Sequence, residues 1–209
     1  MNSRILLAAA SAAMFAVPAF AADSATGTIG LNASVPDTCY ISSMGANSLA
    51  TGGAFTAPGA GGATVSATLD LGTTAIADAT TAVGTSATYI INVEAYCNYA
   101  SHNVSLQSLN GGLIGPDSAS VPSVGDFERR INYTADFAGW DGSTATSLTT
   151  DGVVSSAAAD VDSATQAYGV AVNTVGSAAT LTITTADGTD PLIAGAYADT
   201  LTLQFGAAL

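Results

Sequence analysis

Asp199-Thr200-Leu201-Thr202-Leu203-Gln204-Phe205, close to the C-terminus of the 209-residue chain, alternates polar side chains with large apolar ones. A period of two is the spacing of a β-strand, so Leu201, Leu203 and Phe205 share one face. Near the other end Gly27-Thr28-Ile29-Gly30-Leu31-Asn32-Ala33-Ser34-Val35 repeats the pattern, with Gly27, Ile29, Leu31, Ala33 and Val35 in phase. Pro36 stops that ladder because it has no N–H to donate. Pattern alone leaves open whether each terminal strand pairs within its own chain or with a neighbour.

The region between them reads as more strands. Val65, Ala67, Leu69 and Leu71 alternate with polar residues up to Gly72. Thr88 to Tyr96 puts Tyr89, Ile91, Val93 and Ala95 on one face, with Cys97 in the same phase. Val104 and Leu106, with Leu109 as a weaker third, lead into a Gly111-Gly112 turn. Ile131, Tyr133, Ala135 and Phe137 run to the turn signal Gly139-Trp140-Asp141-Gly142. Tyr168, Val170 and Val172 suggest another strand, and Leu181 and Ile183 one more. Short alternating runs separated by Gly and Asp turns predict an all-β sandwich. Residues 42–63, 116–126 and 141–166 are poor in large apolar side chains and are expected on the surface as loops. Within the last of these, the alanine content of 153–167 admits a short helix. No fixed-period repeat is present, which argues against a solenoid.

Residues 1–21 have the anatomy of a secretory leader. Arg4 supplies the positive end, Ile5 to Val17 the apolar run, and Ala19-Phe20-Ala21 the small-x-small cleavage site. The mature chain is expected to begin at Ala22 and to be exported. About 190 residues suffice for one sizeable core, and no linker-like break in composition divides them, so one domain is expected.

The chain has 16 acidic residues and no lysine; loss of the leader leaves only Arg129 and Arg130 basic. Such a surface repels phosphate backbones and anionic membranes, which excludes nucleic acid as a partner. Only 9% of residues are charged, however, and Ala, Thr, Ser and Gly dominate. That neutral, hydroxyl-rich composition suits an extracellular polymer. In an oxidising compartment the even pair Cys39 and Cys97 predicts one structural disulfide, worth about 4 kcal/mol for a loop of this length on the chain-entropy account.

Taken together, the leader, the alternating N-terminal strand, Cys39, Leu69-Asp70-Leu71-Gly72, the strand running into Cys97, Ile131-Asn132-Tyr133-Thr134 and the terminal phrase from Gly195 to Leu203 resemble the chaperone–usher pilins. The likeness is to the spore-coat-U-like domain of the archaic chaperone–usher type. It implies an immunoglobulin-like β-sandwich that lacks one strand and is completed by a donor strand from a neighbouring subunit. It further implies a periplasmic chaperone and an outer-membrane usher as partners, beside other copies of the chain or related pilins. On this chain it implies a donor strand within residues 22–35, ahead of a pilin domain over 36–209. Gly27, Ile29, Leu31, Ala33 and Val35 would fill pockets, and Leu201, Leu203 and Phe205 would line the acceptor groove. The implied function is a structural subunit of a surface fimbria built by strand exchange, serving adhesion or biofilm formation. The alternative is a self-complemented, secreted coat or matrix protein of the same class.

The residues give little support to catalysis, and the chain is expected not to be an enzyme. His102 is the sole histidine, with neither a G-x-S-x-G motif nor the ligand set of a zinc site around it. It reads as a surface or loop residue. Asp160 with Asp162, and Asp187 with Asp190, lack the full spacing of a calcium loop and read as solvated turn carboxylates. No catalytic residue, metal or cofactor is therefore expected. Trp140, in a turn, is the best candidate for an exposed sugar platform, whereas Tyr133, Tyr168 and Tyr197 read as core aromatics. Glu128-Arg129-Arg130 reads as a local ion-pair cluster.

Overall fold

The structure is a computed structural model, in which residues 30–46, 54–56, 65–70, 76–115, 127–141, 145–156, 158, 160–173, 179–207 and 209 are described. Every helix or strand among them is a β-strand, numbered β1 to β13 along the chain. One sheet has the order β1 (Cys39–Ala46), β4 (Thr88–Cys97), β12 (Ala179–Thr185), β8 (Tyr133–Ala138), β9 (Thr146–Thr149), and β11 (Val172–Asn173) pairs with β4 beyond the end of β12. The other has the order β10 (Asp162–Tyr168), β5 (His102–Ser108), β13 (Thr200–Gly206), β3 (Val65–Asp70), β2 (Ala54–Thr56). A short ribbon joins β6 (Leu113–Ile114) to β7 (Arg130–Ile131). All ladders are antiparallel. The compact body runs from Val35 to Leu209, with residues up to Ser34 forming a separate N-terminal unit. The architecture is an all-β sandwich.

The period-two pattern carries directly into burial. Tyr89, Ile91, Val93, Ala95 and Cys97 on β4 are buried while the residues between them are not. β8 buries Tyr133, Ala135 and Phe137, and β12 buries Leu181 and Ile183. From the opposite sheet Val104, Leu106, Leu201, Leu203 and Phe205 join the same apolar cluster. Each such side chain removed from water contributes about 1.5–3 kcal/mol, which is why these positions and not the intervening Thr residues decide the strand faces. β1 shows what happens when the pattern slips. Cys39 and Ile41 are buried, but so is Met44, three positions on. The ladder to β4 shifts between Ile41 and Ser43, and this bulge turns Met44 rather than Ser43 inward.

Cys39 and Cys97 lie opposite one another on β1 and β4 and are disulfide-bonded, as expected. Three expectations need correction. Residues 153–167 contain no helix among those described; their second half is β10, laddered to β5 along its whole length. Asp162-Ser163-Ala164-Thr165-Gln166-Ala167-Tyr168 lies at a sheet edge, where only one anchor is needed, and buried Tyr168 provides it. The stretch expected as a loop over 141–166 therefore holds β9 and most of β10, and 42–63 holds β2 and the end of β1. Finally, Val170 is exposed, because the chain bends at 169–170 between β10 and β11 instead of continuing as one strand. The proposed loop over 116–126 lies outside the described residues.

Candidate assembly site

The terminal strand β13 sits in the middle of its sheet. Along one edge Leu201–Gly206 pairs with β5, and along the other Thr200–Phe205 pairs with β3. Leu201, Leu203 and Phe205 are each fully buried. In the β3 ladder Leu201 lies opposite Leu69, Leu203 opposite Ala67 and Phe205 opposite Val65. Both edges of β13 are thus paired within the chain, one with β5 and the other with residues 65–70. β2, three residues long, ends the sheet beyond them.

A buried polar anchor holds the start of β13. The Asp199 carboxylate accepts hydrogen bonds from Ser108 Oγ at 2.6 Å, Tyr133 OH at 2.7 Å, Asn110 N at 3.0 Å and Thr200 N at 2.7 Å. Ser108 Oγ in turn accepts from the main-chain N–H groups of Gly111 and Gly112. Those two glycines have φ of +65° and +132°, in the left-handed region that side chains disfavour, and a Cβ on Gly111 would lie 2.6 Å from Asp160 O. Burial first, then the Asp199 charge, drives the Tyr133 phenol far above the ordinary tyrosine range. Two residues before Asp199, the buried Tyr197 donates to the carbonyls of Ile193 and Glu128. A tyrosine bonded back to the main chain at the start of a strand pins the corner of many immunoglobulin-like sandwiches. Nothing in the spacing of the terminal phrase shows that Asp199 is a buried acceptor, since an Asp before a strand is usually a solvated turn residue.

The N-terminal segment is the counterpart. Gly27 and Ile29 lie outside the described residues. Leu31, Ala33 and Val35 fall in a stretch, residues 30–38, that has no strand assigned. Leu31 is 92% exposed and Val35 79%. At its end Thr38 N donates to Asn98 Oδ1 and Asn98 Nδ2 donates to Pro36 O.

His102 is fully buried, not superficial. Trp140 Nε1 donates to its Nε2 at 2.9 Å, and because an indole N–H can only donate, the ring proton lies on Nδ1, which donates to Tyr99 O at 3.0 Å. The imidazole also stacks on Tyr168 with ring centroids 5.8 Å apart. Trp140 is 2% exposed, packed against Phe205 and Phe137, and so offers no platform to a sugar. Tyr133, Tyr168 and Tyr197 are buried as expected. Glu128 and Arg130 of the expected ion-pair cluster each bond to main-chain groups. Arg130 is buried and donates to the carbonyls of Gly111 and Ala158, while Glu128 accepts from Thr189 N and Oγ1. Asp187 accepts from Ser86 N and Asp162 from Asp151 N; burial raises the Asp162 carboxyl above its usual range. Among the described residues no group of three or more His, Cys, Asp or Glu side chains is placed to hold a metal ion.

No family model, curated protein or solved structure matches the chain.

Proposed function

We propose that the chain is a non-enzymatic structural subunit of a surface fimbria, exported through the periplasm and polymerised by strand exchange. In this reading the N-terminal segment of one copy, within residues 22–35, adds as a strand to the sandwich of the next. Main-chain hydrogen bonds supply affinity and the alternate apolar side chains supply fit. A head-to-tail contact of this kind does not close on itself and generates a fibre. A periplasmic chaperone would hold the segment's acceptor before assembly, and an outer-membrane usher would direct the exchange. The observation that carries the proposal is the exposure of Leu31 and Val35 in a segment with strand periodicity but no ladder. Large apolar side chains in phase on an extended chain are a strand without its sheet.

The test is SDS gel electrophoresis of the extracellular fraction, heated and unheated, for the whole chain and for one lacking residues 22–34. The proposal expects an unheated ladder of multimers that collapses on boiling and is lost on truncation. A ladder that survives truncation overturns the donor assignment. The second reading, a self-complemented coat or matrix protein, is favoured by the pairing of β3 with β13 inside one chain. It expects a monomer in both lanes.

A further inference from the structure

The segment beside β13 and the exposed N-terminal segment have the same design. Val65-x-Ala67-x-Leu69 and Leu31-x-Ala33-x-Val35 each read large–alanine–large at alternate positions. In the β3 ladder the alanine stands opposite Leu203, midway between Leu201 and Phe205. Laid antiparallel to β13 in the same direction, residues 31–35 reproduce that order, with Leu31 opposite Phe205, Ala33 opposite Leu203 and Val35 opposite Leu201. Ladder hydrogen bonds come from the main chain and do not distinguish the two segments, and at alternate positions the two sequences carry the same class of residue.

The surroundings of β3 suit a segment that can leave. It is joined to β1 through residues 47–64, which include Gly52-Gly53 and Pro58-Gly59-Ala60-Gly61-Gly62. On its far side, among the described residues, the three-residue β2 pairs with it. The two strands that lie between β3 and β10 are held differently. β5 lies between two ladders, each at least six residues long, and β13 begins at the Asp199 anchor.

We propose that β3 is an internal stand-in for the donor strand: it caps β13 in the unassembled chain and is displaced from Thr200–Phe205 by residues 31–35 of a second copy. This rests on the strand-exchange reading above and adds to it a regulatory step, since a chain becomes an acceptor only when residues 65–70 detach. Affinity for an incoming strand then scales with the fraction of chains whose cap is open.

The experiment uses the purified mature chain and a fluorescein-labelled synthetic peptide of residues 22–36, with uptake read as an SDS-resistant fluorescent band without heating. Two variants move the cap in opposite directions. In Thr68→Cys/Thr202→Cys, which bridges directly opposed residues of β3 and β13, oxidation locks the cap; peptide mapping confirms the bridge beside Cys39–Cys97. In Ala67→Asp the cap is weakened. Expected are loss of uptake in the locked chain, and uptake about tenfold or more tighter in the weakened one, because more of its chains are open. In the wild type, hydrogen exchange at residues 65–70 should become faster once the peptide is bound. If β3 is a permanent part of the sandwich, the weakened chain binds no better than wild type, and the inference fails. Uptake by the locked chain equal to wild type also overturns it, while leaving strand exchange at another edge intact. No uptake by any chain overturns the inference alone if the mature protein still forms a heat-sensitive SDS ladder. The same result without a ladder overturns the strand-exchange reading as well.

Discussion

Tyr133 on β8 donates its phenolic proton to the Asp199 carboxylate, 2.7 Å away, at the start of β13 in the opposite sheet. The contact is buried and bridges the two layers where the terminal strand begins. It also places a buried anchor of β13 just ahead of the strand itself. Removing the phenol by Tyr133→Phe should cost about 1.5–3 kcal/mol, the range for a hydrogen bond to a charged group. Asp199→Ala, which orphans the buried Ser108 hydroxyl and Tyr133 phenol together, should cost about 3 kcal/mol or more. Urea denaturation of both variants checks the order; equal midpoints would show that the carboxylate is not the anchor.

Alkaline pH should unfold the protein through its tyrosines. Burial is the leading cause that raises Tyr133, Tyr168 and Tyr197, and for Tyr133 the Asp199 charge adds to it. An unfolded tyrosine loses its proton near pH 10, whereas these hold theirs in the folded state. Stability from a raised pKa is complete below the unfolded value and is lost as pH rises above it. The urea midpoint should therefore fall above about pH 10, together with a delayed tyrosinate absorbance at the same pH. A flat midpoint through that range would contradict the burial of these phenols.

His102 and Trp140 form a closed pair. Replacing His102 by Leu strands the Trp140 indole N–H and should cost about 1–3 kcal/mol in urea denaturation. Because Trp140 is 2% exposed, iodide should not quench its fluorescence in the folded protein but should do so after unfolding. Quenching in the native state would return it to the surface.

Leu31→Asp separates the body from the joint. Leu31 is 92% exposed, so the monomer's stability should change by no more than about 0.5 kcal/mol, as for ordinary surface substitutions. In an assembled fibre the same change buries an unpaired carboxylate and should weaken the joint by several kcal/mol, on the order of 3 or more. Comparison of monomer unfolding with the temperature at which the SDS ladder collapses tests the split. A fibre as heat-resistant as wild type would place Leu31 outside the joint.

The disulfide closes a sequence separation of 58 residues between two fully buried sulfurs. Its removal by paired Cys39→Ser and Cys97→Ser substitutions should lower stability by about 2–5 kcal/mol. A shift of the urea midpoint too small for that range would mean that the β1–β4 ladder alone fixes these strands.

The strands that could be read from the residues are those whose apolar side chains recur at period two: β3, β4, β5, β8, β12 and β13. There the local pattern and the tertiary environment impose the same choice, and transfer of large side chains from water is sufficient to set the strand face. β10 escaped because an edge strand with one anchor needs no such pattern. The burial of His102 and Trp140 escaped because each satisfies the other's polar group across 38 residues of chain, and a lone polar residue shows no local sign of a distant partner. Asp199 escaped for the same reason. The neighbour of β13 is the clearest case of what only the tertiary structure decides. Residues 31–35 and 65–69 have the same alternation and the same central alanine, yet it is Val65–Asp70 that pairs with the strand carrying Leu201, Leu203 and Phe205. Main-chain hydrogen bonds are indifferent to side-chain identity, and two segments equal in pattern are separated only by where the chain allows each of them to reach.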